Sequence, residues 1–121
     1  MFKETLRQIV ESTDGAIAGL LMGFDGIAVE SYTRDEAAAG KDIGEIGMEF
    51  SVIVGSIKRA AETLEAGHAK EVAIQAEHMT TLIRVVNDDY FLALTLRPDG
   101  NPGKGRFILR THAPKLLADL A

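Results

Sequence analysis

The 121 residues carry 13 Lys and Arg against 18 Asp and Glu, a formal charge of −5, with 46% hydrophobic and 26% charged side chains and no cysteine. That is enough chain for one domain, residues 1–121, with a real core, and the missing thiols exclude disulfides, thiolate zinc sites and cysteine nucleophiles. An acidic balance, with a pI near 5.1 and no basic stripe interleaved with aromatics, argues against nucleic acid as a partner.

The amino-terminal Met1-Phe2-Lys3-Glu4 contains an acid and no long apolar run, so neither a signal peptide nor membrane insertion is expected and a cytoplasmic location is the default. From Phe2 to Thr13 the sequence predicts a short helix with Phe2, Leu6, Ile9, Val10 and Thr13 on one face, ended by Asp14-Gly15. Ala16 to Phe24 is a nearly continuous small and apolar run, which suits a strand covered on both faces. Asp25-Gly26 signals a hairpin, and the returning strand, Ile27 to Tyr32, alternates apolar with polar residues as an edge strand does. Thr33 to Lys41 reads as a polar, mobile connector.

Asp42 to Ala66 forms the longest element. Ile43, Ile46, Phe50, Ile53, Val54, Ile57, Ala61 and Leu64 recur at spacings of three and four, as a helix with one buried face requires. Asp42 is the expected N-cap with Glu45 three residues on, and Gly67 the residue past the carboxyl end. At 1.5 Å per residue such a helix is roughly 37 Å long, so it must lie across a sheet. Its opposite side is informative: Gly44, Met48, Ser51, Val52 and Gly55, extended by Arg59 and Glu62, are small or apolar where a solvated face carries Lys and Glu. Either a second layer of the chain covers them, or the apolar pair is tolerated singly, or a partner packs there.

Beyond the helix, Glu71 to Ala76 alternates, with Val72, Ile74 and Ala76 on one side, and is the second edge candidate. Glu77-His78 and Asn87-Asp88-Asp89 turn the chain through Met79 to Val86 and Tyr90 to Leu96, giving a three-strand meander. Phe91-Leu92-Ala93-Leu94 lacks polar alternation and reads as the second interior strand. Joining the hairpin and the meander through their most apolar strands predicts a five-stranded antiparallel sheet in the order 2-1-5-4-3. Arg97 to Gly105 reads as a flexible loop, and Arg106 to Leu120 as a last helix that Pro114 kinks or divides. The pattern is α-β-β-α-β-β-β-α, a mixed α/β (α+β) fold.

No chemistry-bearing constellation emerges. His68, His78 and His112 lack metal-pair spacing, so no metal or cofactor is expected. Gly100 to Gly105 fails as a phosphate loop because Pro98 stands where its first glycine belongs and Gly105 follows Lys104 in place of Ser or Thr. No serine sits in a nucleophile elbow, and Asp25, Asp88 and Asp89 fall in turns, where carboxylates satisfy backbone donors. Arg34, Arg59 and Arg106 are exposed candidates for a partner's phosphate site, with nothing local to single one out. Weight therefore shifts to surfaces: the outward helix face and the free edge of the third strand, which one twofold contact could bury together.

The strand, Asp-Gly turn and strand of Gly15 to Ser31 (GAIAGLLMGFDGIAVES), the long second helix, the meander and the Gly-rich segment feeding the last helix, Gly103 to Ala121, together resemble the roadblock/LC7 family over nearly the whole chain. The resemblance implies a profilin-like three-layer sandwich and a homodimer through the second helix and third strand. It also implies a non-catalytic regulator that binds a small Ras-like GTPase, the bacterial gliding-motility and polarity branch being nearest. Gly44, Met48, Ser51, Val52, Gly55, Arg59, Val72, Ile74 and Ala76 are the interface candidates. A small-molecule-sensing profilin- or PAS-like domain and a dynein-light-chain-like structural adaptor are the alternatives. The loop from Pro98 to Gly105 and Pro114 depart from the family pattern.

Overall fold

The computed structural model describes residues 1–34 and 43–120; the N-cap assigned to Asp42 and the connector from residue 35 onward fall outside them, while Thr33, read as the connector's first residue, is the last of the second strand. The elements are α1 (Phe2–Glu11), β1 (Ala16–Gly23), β2 (Ala28–Thr33), α2 (Ile43–Thr63), β3 (Glu71–Gln75), β4 (Thr80–Val85), β5 (Tyr90–Leu96) and α3 (Pro102–Leu120). The strands form one antiparallel sheet in the order β2-β1-β5-β4-β3, as the two apolar interior strands predict.

Side-chain alternation divides each interior strand between two cores. Leu21 of β1, Leu82 of β4 and Leu92, Leu94 and Leu96 of β5 meet Leu6, Ile9 and Val10 of α1 and Leu109 and Leu116 of α3. Leu20 and Met22 of β1, Ile83 of β4 and Phe91 and Ala93 of β5 face the other way, toward Val54 of α2. The result is three layers, with α1 and α3 on one face and α2 on the other. β1 and β5 carry no charged residue, and only Tyr90 and Thr95 of β5 bear a polar group, because both faces of these strands are covered.

Several boundaries shift for identifiable reasons. The β1–β2 hairpin is a turn over Gly23 to Gly26, closed by Gly26 N–H donating to Gly23 O at 3.0 Å, with Gly26 at φ +87° and Asp25 Oδ1 accepting from Ile27 N–H at 3.0 Å. This is a loop followed by a left-handed residue, which glycine supplies without strain. In the β4–β5 turn it is Asn87, not the two aspartates, whose side chain accepts from Asp89 and Tyr90 N–H.

The segment read as a loop from Arg97 to Gly105 is helical from Pro102 onward. Asn101 caps it, its Oδ1 accepting from Lys104 N–H at 3.1 Å, and Pro102 fills the first helical position, where its missing donor costs nothing. The helix continues through Pro114 to Leu120 without division.

α2 ends earlier than Gly67 implies. Ala66 N–H donates to Ala61 O and Glu65 N–H to Glu62 O, and Glu65 itself takes the left-handed conformation at φ 57°. This is a Schellman closure with glutamate at the position usually given to glycine.

The seat of α2 on the sheet also differs from the apolar stripe. The closest approach is at Gly47, where an added Cβ would lie 2.4 Å from Leu20 Cδ2 and 2.7 Å from Met22 Cε. Only the absence of a side chain lets the helix settle on β1. Gly47, Ser51 and Val54 are buried, with Phe50, Ile57 and Ala61 half-buried, whereas Ile53 is 42% exposed and Leu64 is exposed beyond the helix end. The buried face is thus rotated from the hydrophobic stripe toward its small residues.

Candidate functional site

α2 packs on β1 and β2, and its first flank overhangs the β1–β2 turn. There an open groove of about 610 Å³ is lined by Phe24, Asp25 and Gly26 from the turn and by Met48, Ser51, Val52, Gly55, Lys58, Arg59 and Glu62 from α2. Five of the residues nominated from sequence therefore converge on one surface. Met48 is 58% and Val52 68% exposed, two aliphatic side chains one turn apart and open to water. Gly55 is half-buried and Arg59 exposed, with Arg59 Nη2 donating to Ser56 Oγ at 3.2 Å. Ser51 corrects its expected outward placement: it is 6% exposed, packed beneath the Gly26 turn, and its hydroxyl donates to Met48 O at 2.6 Å. Gly44 stands in the first turn of α2, and its surroundings lie outside the described residues.

Two groove residues escaped the sequence reading. Lys58 Nζ lies 4.7 Å from the centre of the Phe24 ring and donates to Asp88 O at 2.8 Å, while the Phe24 and Phe91 rings are 5.3 Å apart and tilted by 51°. One lysine thus fastens α2 to the turns at one end of the sheet through a cation–π contact and a hydrogen bond. The signal was available in the aromatic that precedes Asp25-Gly26 at the hairpin tip. Of the arginines considered for a phosphate site, Arg34 is committed to the fold, donating to Val10 O at 2.5 Å; Arg59 and Arg106 are exposed.

The second flank of α2 faces away from β2, toward the β4–β3 half of the sheet. At 100° per residue Ile46, Ile53, Ile57 and Leu64 share it. β3 is hydrogen-bonded to β4 alone, with Val72 opposite Ile83 and Ile74 opposite Thr81, which places Val72 and Ile74 on the α2 side of the sheet. Both are half-buried. Ala76 lies just past the strand, its N–H donating to Met79 O in the following turn. The two nominated sets of residues thus share one side of the sheet, but Val72 and Ile74 stand outside the groove.

The described residues thus combine exposed apolar side chains on α2 with a free sheet edge at β3, and hold no group of His, Asp or Glu able to bind a metal. No family model matches the chain, and no curated protein matches it. Among solved structures it is similar to MglC from Myxococcus xanthus, with 41% identity over 96% of each chain and a TM-score of 0.70. It is also similar to a roadblock/LC7 domain from Streptomyces avermitilis, with 11% identity over 98% of this chain and 96% of that one and a TM-score of 0.84. The gliding protein MglB from Thermus thermophilus has 17% identity over 95% of this chain and 84% of that one, with a TM-score of 0.85. The chain belongs to the roadblock/LC7 family. At their low identities the Streptomyces and Thermus structures bear on the fold alone.

Proposed function

We propose that the chain is a homodimeric, non-catalytic regulator that binds a small Ras-like GTPase and modulates its nucleotide cycle by activation or scaffolding. The observation that carries this is the exposed apolar character of α2 on both flanks, with Met48 and Val52 on one and Ile53 on the other. Adjacent exposed aliphatic side chains bordering a groove, and another beside a free sheet edge, are what a partner's apolar surface would cover. The second flank, together with Val72 and Ile74, supplies a self-complementary seam, where β3 of two copies pairs across a twofold axis and the two α2 helices pack side by side. Met48, Val52, Gly55 and Arg59, with the β1–β2 turn, then form the docking surface for the GTPase, one on each copy. Regulation by contact requires no catalytic residue from this chain.

The test is single-turnover GTP hydrolysis and nucleotide release by Ras-like GTPases of the same genome, with and without saturating purified chain. A rate changed for one GTPase, and restored toward the unassisted value by Met48→Glu, supports the reading. Rates unchanged for every GTPase would overturn it.

A further inference from the structure

Residues 100–118 contain Lys104, Arg106, Arg110 and Lys115 and no acid, four positive charges in a chain whose formal charge is −5. All four lie on α3, on the side of the sheet opposite α2. Lys115 is turned to α1, where its charge contributes to holding Glu4 below the ordinary carboxylate range, the larger cause being the hydrogen bond from Arg7. The others look outward. At 100° per residue Arg106, Phe107, Arg110, Pro114 and Leu117 fall within an arc of about 100°. Within it Phe107 is 59% exposed and Leu117 is also exposed, so the face alternates guanidinium with apolar surface.

Two shallow grooves run beside this arc. One, about 220 Å³, is lined by Arg106 together with Glu71, Val72 and Ala73 along the β3 edge. The other, about 200 Å³, is lined by Arg84, Val85 and Val86 together with Arg110, Pro114 and Leu117. They meet at Glu71, whose Oε1 lies 3.2 Å from Arg110 Nη2 and 3.8 Å from Arg84 Nη1. One carboxylate between two guanidiniums leaves the trough positive, and Arg106 has no ion pair among the described residues.

We propose that this face of α3 docks an acidic, amphipathic segment of a partner protein. Its carboxylates meet Arg106 and Arg110, whose planar forks match carboxylate geometry, and an aliphatic or aromatic anchor packs on Phe107, with Leu117 about 15 Å farther along the helix to receive a second. Charge complementarity selects this occupant: an acidic segment finds a strongly positive surface on an otherwise acidic chain. An anionic membrane is disfavoured, because surface-bound helices need a continuous apolar face and this one offers isolated side chains on a domain of net negative charge. The α3 face lies on the opposite side of the sheet from α2 and so apart from the proposed GTPase surface, while its groove borders the β3 edge that the proposed twofold seam uses.

The experiment is fluorescence anisotropy of the full chain with a labelled helical peptide bearing glutamates on one face and leucines on the other, beside a charge-reversed lysine version. Saturable binding of the acidic peptide that weakens with salt is expected, and loss of at least about fivefold in affinity in Arg106→Glu and, separately, in Phe107→Ala. Both side chains are exposed, and circular dichroism verifies that each variant is folded. No binding, equal binding of the lysine peptide, or unchanged affinity in both variants would overturn the proposal. So would failure to bind the peptide together with co-sedimentation on phosphatidylserine-containing vesicles, which would make the occupant a membrane.

Discussion

Val52 and Ile53 are neighbours in sequence but stand on different flanks of α2, and replacing each by glutamate separates the two surfaces proposed for that helix. Val52 is 68% exposed, so Val52→Glu disturbs little of the monomer, and unfolding stability should stay within about 0.5 kcal/mol of wild type. Full burial of a valine stabilises by about 1.5–3 kcal/mol; covering the 68% still open amounts to about 1–2 kcal/mol, or about 5- to 30-fold in affinity for the docked partner. The dimer should be unaffected.

Ile53 is 42% exposed, which by the same coefficient leaves about 0.6–1.3 kcal/mol to be gained in each copy. A twofold seam counts it twice, about 1.3–2.5 kcal/mol, so Ile53→Glu should weaken dimerisation by about 8- to 60-fold before the cost of facing carboxylates is added. Sedimentation equilibrium measures the dimer, titration with nucleotide-loaded GTPase measures docking, and urea unfolding controls for the fold. A Val52→Glu chain that loses the dimer but keeps the GTPase, or an Ile53→Glu chain that dimerises like wild type, would refute the division of flanks.

Three further substitutions probe how the helices are seated and capped. Gly47→Val places methyl groups where Leu20 and Met22 already stand, and should lower unfolding stability by about 1–3 kcal/mol in urea titration; a midpoint at or above wild type would contradict the close approach. Glu65→Gly relieves a left-handed glutamate and should raise stability by about 0.5–1 kcal/mol in thermal unfolding, whereas a loss would mean that another contact of Glu65 outweighs the strain. Asn101→Ala removes the cap of α3 and should cost about 1 kcal/mol, with Asn101→Asp retaining most of the stability; equal losses in both would show that the cap is not the cause.

The fold was legible because burial leaves its mark strand by strand. Ile17 to Met22 and Phe91 to Leu94 are apolar without alternation, which only a strand covered on both faces tolerates, and the alternating β2 and β3 fall at the edges. From those four strands the order follows with little freedom. The long helix was legible as an element but not in its rotation. Hydrophobicity tells which residues favour burial, not which are small enough to sit under a backbone, and at Gly47 and Ser51 size decided. The displaced aliphatics, Ile53 and Leu64, stay in the open. The start of α3 was hidden by its glycines, although Asn101-Pro102 is a cap followed by a first-turn proline. The Glu65 closure carries no sequence signal, since glutamate is an unusual choice there. Of the groove, Met48, Val52, Gly55 and Arg59 were legible from their helical spacing, while the place of Lys58 was not, because its partners, Phe24 and Asp88, are distant in sequence.

Light-scattering chromatography of the purified chain, alone and mixed with Ras-like GTPases loaded with GTP or GDP analogues, probes the dimer and its docking surface together. The predicted result is a particle of twice the 13.0 kDa chain mass that gains the mass of a GTPase in a nucleotide-dependent manner, a gain lost in Val52→Glu. A 13.0 kDa monomer that ignores every GTPase in either nucleotide state would contradict both the seam and the docking surface.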